Sequence, residues 1–251
     1  MTVNSNQLGI DGAHQVSFIV PAYNEQAELP ATLASIQKAA ENVGCDYEII
    51  LVDDGSTDAT PDIGRQFGIE VVTIQRRQIA AARNAGARRA RGDVLVFVDA
   101  DTRISQEHVR GVLEALNRGA AGGGARLGVD REIPRWGKIL FHGFATIYFG
   151  LRLGAGAFLF TTRENFLVIG GFDETYFASE EVFFTLALKK LGPFKILPYP
   201  AVTSGRKLRL YSGWQIFTGL LGLLVGGRRA VMSRTKLQLW YGGERERRIS
   251  G

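Results

Sequence analysis

Residues 48–58 run Glu-Ile-Ile-Leu-Val-Asp-Asp-Gly-Ser-Thr-Asp. Four consecutive apolar residues, Ile49 to Val52, lead straight into Asp53, Asp54 and Gly55. An unbroken apolar run suits a strand buried on both faces, as in a parallel sheet; a strand with one wet face would alternate. Asp and Gly then supply a turn, because Asp bonds its own backbone and Gly accepts conformations other residues resist. The same design recurs on either side. Val16–Val20 is apolar, stopped by Pro21 and followed by Ala22-Tyr23-Asn24-Glu25, and Val94–Val98 ends in Asp99-Ala100-Asp101.

Helical signals fill the gaps. Glu25–Glu41 places Leu29, Leu33, Ile36 and Ala40 at helical spacing, Ser56–Phe67 follows a Ser/Thr/Asp cap, and Gln78–Arg91 is rich in Ala and Arg. Glu70–Ile74 predicts a third strand and Gln106–Leu116 a further helix. Strand and helix alternating at this pace imply right-handed crossovers. The expected fold is α/β, a Rossmann-like, mostly parallel sheet with helices on both faces. The second half is less regular. Gly122-Gly123-Gly124 is read as a tight bend before a strand at Ala125–Val129. Strands follow at Phe158–Thr161, Phe194–Pro198 and Ala201–Thr203, and helices at Ile139–Leu151, Arg163–Ile169 and Glu180–Leu191. The expected division is a tail at 1–14, a main domain at 15–205 (halves 15–120 and 121–205), and a C-terminal helical appendage with a basic tail at 206–251.

Composition narrows the class. With 251 residues, 45% hydrophobic and 22% charged, there is material for a sizeable core, which excludes disorder throughout. One cysteine, Cys45, excludes a disulfide framework and points to a reducing, cytoplasmic setting. The polar stretch Met1–Gln15 lacks the apolar core of a secretory signal, and the apolar runs Ile139–Leu151 and Trp214–Val225 are too short to span a bilayer. Charge is uneven: residues 1–125 carry 11 Lys/Arg against 16 Asp/Glu, and residues 126–251 carry 19 against 9. The acidic half suits metal or sugar chemistry and the basic half suits anions. A nucleic-acid partner is not expected, because the basic residues are not interleaved with aromatics on a recognisable module.

In an open parallel sheet, ligands bind beyond the carboxyl ends of the strands. The polar clusters after the first, second and fourth strands would meet there. Turn chemistry explains any one of them; three at one edge point to a site. Carboxylates gathered together stay ionised at low cost only when a cation joins them, and oxygen donors favour Mg²⁺ or Mn²⁺. Asp99 and Asp101, two apart on an extended segment, face the same way and can hold one such ion, whose open positions phosphates would fill.

Taken together, Phe18–Glu25 (FIVPAYNE), Glu48–Asp58 (EIILVDDGSTD), Ala82–Gly86 (ARNAG) and Gly92–Asp101 (GDVLVFVDAD) resemble the family 2 glycosyltransferases of GT-A fold over residues 15–120. The likeness continues more loosely through Gly170–Glu174 (GGFDE) and Glu180-Glu181 to about residue 205. The resemblance implies a nucleotide-diphospho-sugar donor cradled by Pro21, Tyr23 and Glu25, with Asp54 bonding the base and Arg83 near the nucleotide. It implies that Asp99-Ala100-Asp101 holds donor and divalent cation, with Asp101 the more direct ligand. In inverting relatives an acidic pair, usually Glu-Asp, supplies the base that deprotonates the acceptor. Here it reads Glu180-Glu181, with Glu181 at the Asp position and one methylene longer.

Inversion needs one carboxylate base and retention stays open. Arg206-Lys207-Leu208-Arg209 is either a phosphate-covering loop or a solvated charged loop. His14 and His142 are read as structural and His108 as an exposed helix residue. The aromatic-bearing segments Ile139–Leu151 and Trp214–Val225, flanked by Arg and Lys, are core helices, or a surface for an anionic membrane that would suit a lipid-linked acceptor or a homo-oligomer. The alternatives to a transferase are a non-catalytic nucleotide-sugar-binding or scaffold protein of the same fold, and a nucleotidyltransferase. The last would need a Gly-rich basic loop after the first strand, and Pro21–Glu25 is none.

Overall fold

The computed structural model describes residues 16–129, 154, 156–176 and 179–204. The chain runs β1 (Val16–Ala22), α1 (Leu29–Val43), β2 (Tyr47–Asp53), α2 (Thr60–Gln66), β3 (Glu70–Thr73), α3 (Ile79–Arg89), β4 (Val94–Val98), β5 (Thr102–Arg103) and α4 (Gln106–Asn117). It continues through β6 (Gly122–Val129), β7 (Phe158–Thr162), α5 (Arg163–Ile169), α6 (Glu180–Lys189) and β8 (Phe194–Thr203). All the strands form one sheet in the order β3-β2-β1-β4-β7-β6-β8-β5. The strands β3, β2, β1 and β4 are mutually parallel, and β6 and β8 are parallel to each other. β7 enters antiparallel between β4 and β6, and β5 lies antiparallel on β8. The expectation of a mostly parallel α/β sheet holds.

The apolar strand runs divide their side chains between two cores. Val16, Phe18 and Val20 of β1 face Leu29, Leu33 and Ile36 of α1 and Val109, Val112 and Leu113 of α4. Ile19, with Ile50, Val52, Leu95 and Phe97, faces the alanines of α3 together with Phe166, Phe184 and Leu188. Helices therefore cover both faces, which is why these strands carry apolar residues at consecutive positions rather than at every second one. In the second core Phe97 meets Phe166, Phe172 and Phe184 at centroid distances of 5.8, 5.0 and 6.0 Å, and Phe172 stacks on Phe184 at 4.0 Å.

Small residues let α3 lie close to the sheet. A Cβ on Gly86 would come 2.4 Å from Ile19 Cγ2 and 3.0 Å from Val52 Cγ2. Gly86→Ala is therefore expected to destabilise the chain by about 1–3 kcal/mol through overpacking, read as a lower urea midpoint at unchanged slope.

Several boundaries differ from the sequence reading. Pro21 does not stop β1, which continues to Ala22 with Pro21 opposite Val52. Gly122–Gly124 is no bend but the start of β6, paired with β7 on one side and β8 on the other. A Cβ on Gly123 would sit 2.3 Å from Phe160 Cζ and 2.2 Å from Lys195 O, so the glycine run admits close neighbours rather than a turn. The two short strands at the end merge into β8. His108 is buried, 3% exposed, its Nδ1 3.1 Å from the Ser105 amide that donates to it, its ring against Phe158. The tails, Ile139–Leu151, Arg206–Arg209, Trp214–Val225, His14 and His142 lie outside the described residues. Among the described residues no helix is long and apolar enough to cross a membrane.

Candidate active site

Because β1, β2 and β4 are parallel, the loops that follow them share one edge of the sheet. The first two are laced together. The Asn24 amide donates to Ser56 Oγ (2.9 Å), the Thr57 amide to Asn24 Oδ1 (2.8 Å), and the Glu25 amide to Thr60 Oγ1 (2.8 Å). Asn24 adopts φ 52°, a left-handed conformation that Asn tolerates better than most residues. This lacing occupies the residues expected to begin the second helix, so α2 starts at Thr60 rather than Ser56. Pro21 is buried in β1, Tyr23 is partly buried at the rim, and the Glu25 carbonyl accepts from the Glu28 and Leu29 amides where α1 begins.

Asp54 is 4% exposed. Its two oxygens accept from the backbone amides of Arg76 (2.6 Å) and Gln78 (2.7 Å), so the carboxylate brackets the loop between β3 and α3. Ala100 is buried too, and its carbonyl accepts from Thr32 Oγ1 at 2.9 Å, which pins the Asp-Ala-Asp turn to α1. Asp101 Oδ1 accepts from Thr203 Oγ1 (3.2 Å), and its carbonyl accepts from the Ser204 amide (3.1 Å), which ties the turn to the end of β8.

The centre of the edge is an ion cluster around Arg83. This α3 side chain is 1% exposed. Its Nη1 donates to Glu180 Oε1 at 2.8 Å, and its Nη2 to Asp99 Oδ1 at 3.0 Å and to the Gly156 carbonyl at 2.9 Å. Burial works against the guanidinium charge, but Asp99, Glu180 and Glu181 outweigh it and hold its pKa above the ordinary value. Glu180 is itself buried, whereas Asp99 keeps 28% of its side chain exposed. The neighbouring Glu181 is pushed up from 4.5 to about 8, first by loss of hydration and then by the charge of Glu180. The acidic pair therefore divides into one carboxylate that anchors α6 through Arg83 and one whose proton binding is set near neutrality.

Two residues that the sequence reading did not single out hold this arrangement together. Asn84 donates through Nδ2 to the Phe172 carbonyl (2.8 Å) and Glu174 Oε1 (2.9 Å), and its Oδ1 accepts from the Phe172 amide (2.9 Å). Gln78 Nε2 donates to the carbonyls of Glu174 and Tyr176 at 2.5 and 3.2 Å. The signal was present as Arg-Asn-x-Gly and Gly-Gly-Phe-Asp-Glu. Their pairing was not, because the two lie about 90 positions apart.

The structure thus brings Arg83, Asp99, Glu180 and Glu181 together, sets Asp101 beside Thr203, and places Asp54 against the 76–78 loop. Among the described residues no three His, Cys, Asp or Glu side chains group as a metal cage. Asp99 and Asp101 offer only hard oxygen donors, which fits a hard divalent cation whose remaining positions come from a ligand or water.

A family model described as "Glycosyl transferase family 2" matches residues 17–172, more than half of the chain. The chain belongs to glycosyl transferase family 2. Curated relatives agree with that placement. An undecaprenyl-phosphate 4-deoxy-4-formamido-L-arabinose transferase of Aeromonas hydrophila is 33% identical over 111 residues, 41% of this chain and 34% of that protein. Its namesake in Pseudomonas fluorescens is 39% identical over 108 residues, 40% of this chain and 32% of that protein. The alignments with these relatives span about a third of their length. Among solved structures, Staphylococcus aureus TarS 1-349 in complex with UDP-GlcNAc superposes with a TM-score of 0.61 at 18% identity, covering 85% of this chain and 67% of that one. A mannosyltransferase from Pyrobaculum calidifontis in complex with GDP-Man and Mn²⁺ gives 0.61 at 21% identity, covering 82% and 61%. These likenesses place the family 2 chain in the GT-A fold.

Proposed function

We propose that this family 2 chain moves a sugar from a nucleotide-diphospho-sugar to an acceptor hydroxyl with inversion, assisted by Mg²⁺ or Mn²⁺, and that Glu181 is the base. The observation that carries the reading is the division of the acidic pair. Glu180 is committed to Arg83, while Glu181 holds its proton near pH 8 beside the same cluster. A carboxylate so tuned can take a proton from a hydroxyl as the new bond forms. Arg83 fixes Asp99 and the start of α6 relative to each other, and hence the distance over which the acceptor must approach the donor. Asp101, with Asp99 beside it, would hold the cation, and Tyr23, Asp54, Pro21 and Glu25 would line the nucleotide side. The cation supplies charge stabilisation on the departing diphosphate.

The acceptor is read as lipid-borne, on the names of the curated relatives, which refer to undecaprenyl phosphate. Those names also support a second reading, transfer to the phosphate of the carrier itself. A phosphate arrives already ionised and needs no base, and it would meet the charges of Asp99 and Glu180. A raised Glu181 therefore favours a hydroxyl. The experiment is transfer of radiolabelled sugar to a polyprenyl phosphate and, separately, to a lipid-linked glycan. Product from the glycan alone supports the hydroxyl reading and product from the bare phosphate overturns it.

The cation reading has its own test. Asp101→Asn is expected to weaken Mn²⁺-dependent binding of UDP or GDP by about tenfold or more, the loss of one charged ligand, with little change when EDTA is present. Equal affinity of both proteins in Mn²⁺ would reject Asp101 as the ligand.

A further inference from the structure

The loop that joins β3 to α3 carries a strained residue that no part of the mechanism above uses. Arg77 is an arginine at φ 51°, in the left-handed region that side chains other than Gly, Asn and Asp rarely adopt. The strain has a visible cause. The amides on either side of it, Arg76 N and Gln78 N, donate to the two oxygens of one carboxylate, Asp54, at 2.6 and 2.7 Å. Gripping residues 76 and 78 from one side pushes residue 77 out of the loop. Its guanidinium carbon then lies 3.5 Å from the centroid of the Tyr23 ring, a close stacking contact. Asp54 follows β2, Tyr23 follows β1 and Arg77 follows β3, so adjacent parallel strands deliver all three to the same edge.

A strained backbone persists only where its surroundings enforce it, and such sites cluster where ligands bind. If position 77 served only as a turn, glycine or asparagine would adopt this backbone with less strain. An arginine there has to be explained by its side chain. A guanidinium laid flat on a phenol ring keeps its N–H donors in its own plane, directed outward around the ring edge. That presents a flat, cationic, donor-rich platform beside Asp54, an acceptor. A nucleoside diphosphate matches this pairing: its base carbonyls and phosphate oxygens accept from a guanidinium, and its base can stack on one.

We infer that Arg77 is a donor-binding residue, held on Tyr23 by the Asp54 bracket to receive a nucleoside diphosphate. This rests on the nucleotide-sugar reading above. It also gives Asp54 a positioning role through Arg77, alongside any bond of its own to the base.

Arg77→Gly separates binding from folding, because glycine adopts the same left-handed backbone without strain and lacks the side chain. In thermal denaturation without ligand the variant should melt at or above the wild-type temperature. In calorimetric titrations with UDP and with GDP in Mn²⁺, its affinity for the nucleotide that wild type prefers should fall about tenfold, the worth of a desolvated cation–π and charge contact. Arg77→Lys, which keeps the charge but not the planar stack, should fall between the two. Wild-type binding together with unchanged affinity in Arg77→Gly would overturn the inference alone. So would tighter binding by the variant, which would make Arg77 an obstruction. If wild type binds neither nucleotide, the donor reading falls and this inference with it.

Discussion

Arg83→Met is expected to lower folding stability by about 3–5 kcal/mol, read as a reduced urea midpoint at unchanged slope. The size follows from what is left behind. Methionine fills much of the space, but the Glu180 carboxylate remains 5% exposed with its cationic partner gone, and the Asp99 side chain beside it loses the same guanidinium. Leaving one member of a buried pair ionised costs far more than removing both. Arg83→Met combined with Glu180→Gln should therefore recover a good part of the loss, and the double-mutant cycle gives the coupling directly. A single variant as stable as wild type would show that the ion cluster contributes little to the native state. Transfer activity should fail in both variants, since Asp99 and the start of α6 are no longer held to each other.

Glu181→Gln should act in the opposite sense on stability. In the folded chain this carboxyl binds its proton up to about pH 8, against an ordinary 4.5. Between those values the unfolded chain releases the proton and the folded chain keeps it. Native stability therefore declines as pH rises through that window, and the deficit levels off above 8. Glutamine removes the deficit. At pH 7 the variant should be more stable by roughly 1–3 kcal/mol, with the gap closing below pH 4.5, where both states are protonated. Its transfer rate should drop by about 10²–10⁴-fold, the usual worth of a positioned base, with donor affinity retained. The wild-type rate should climb with pH through about 8 as the carboxylate forms. Retained turnover in the glutamine variant would reject Glu181 as the base. A variant no more stable than wild type at pH 7 would reject the burial of its charge.

Much of this was legible in the residues themselves. The consecutive apolar residues at Phe18–Val20, Ile49–Val52 and Val94–Val98 announced strands covered on both faces, and the polar clusters behind them announced a shared edge. What the sequence withheld was pairing across distance. Arg83 and Glu180 stand 97 positions apart, and nothing local states that the acidic pair would divide between an anchor and a raised carboxyl. Gln78 at the start of α3 and Asn84 in its middle look like ordinary helix residues until the 172–176 segment folds onto them. His108 looked exposed because a single histidine in a polar helix carries no hint of the aromatic wall of Phe158 behind it. Gly122–Gly124 looked like a bend because a glycine run reads as freedom in a sequence, whereas here it marks crowding.

The placement of β7 has a bearing on how such enzymes diversify. Phe158–Thr162, drawn from far along the chain, zips the whole length of Val94–Val98 and fills the slot between the early strands and β6. A cut near residue 120 would thus strip the hydrophobic flank of β4 of its neighbour and present it to any passing strand, an invitation to aggregate. The portion before residue 120 is therefore not an interchangeable cassette. A graft that takes only β1 to α4 from a relative must bring β7 with it to keep β4 paired on both sides.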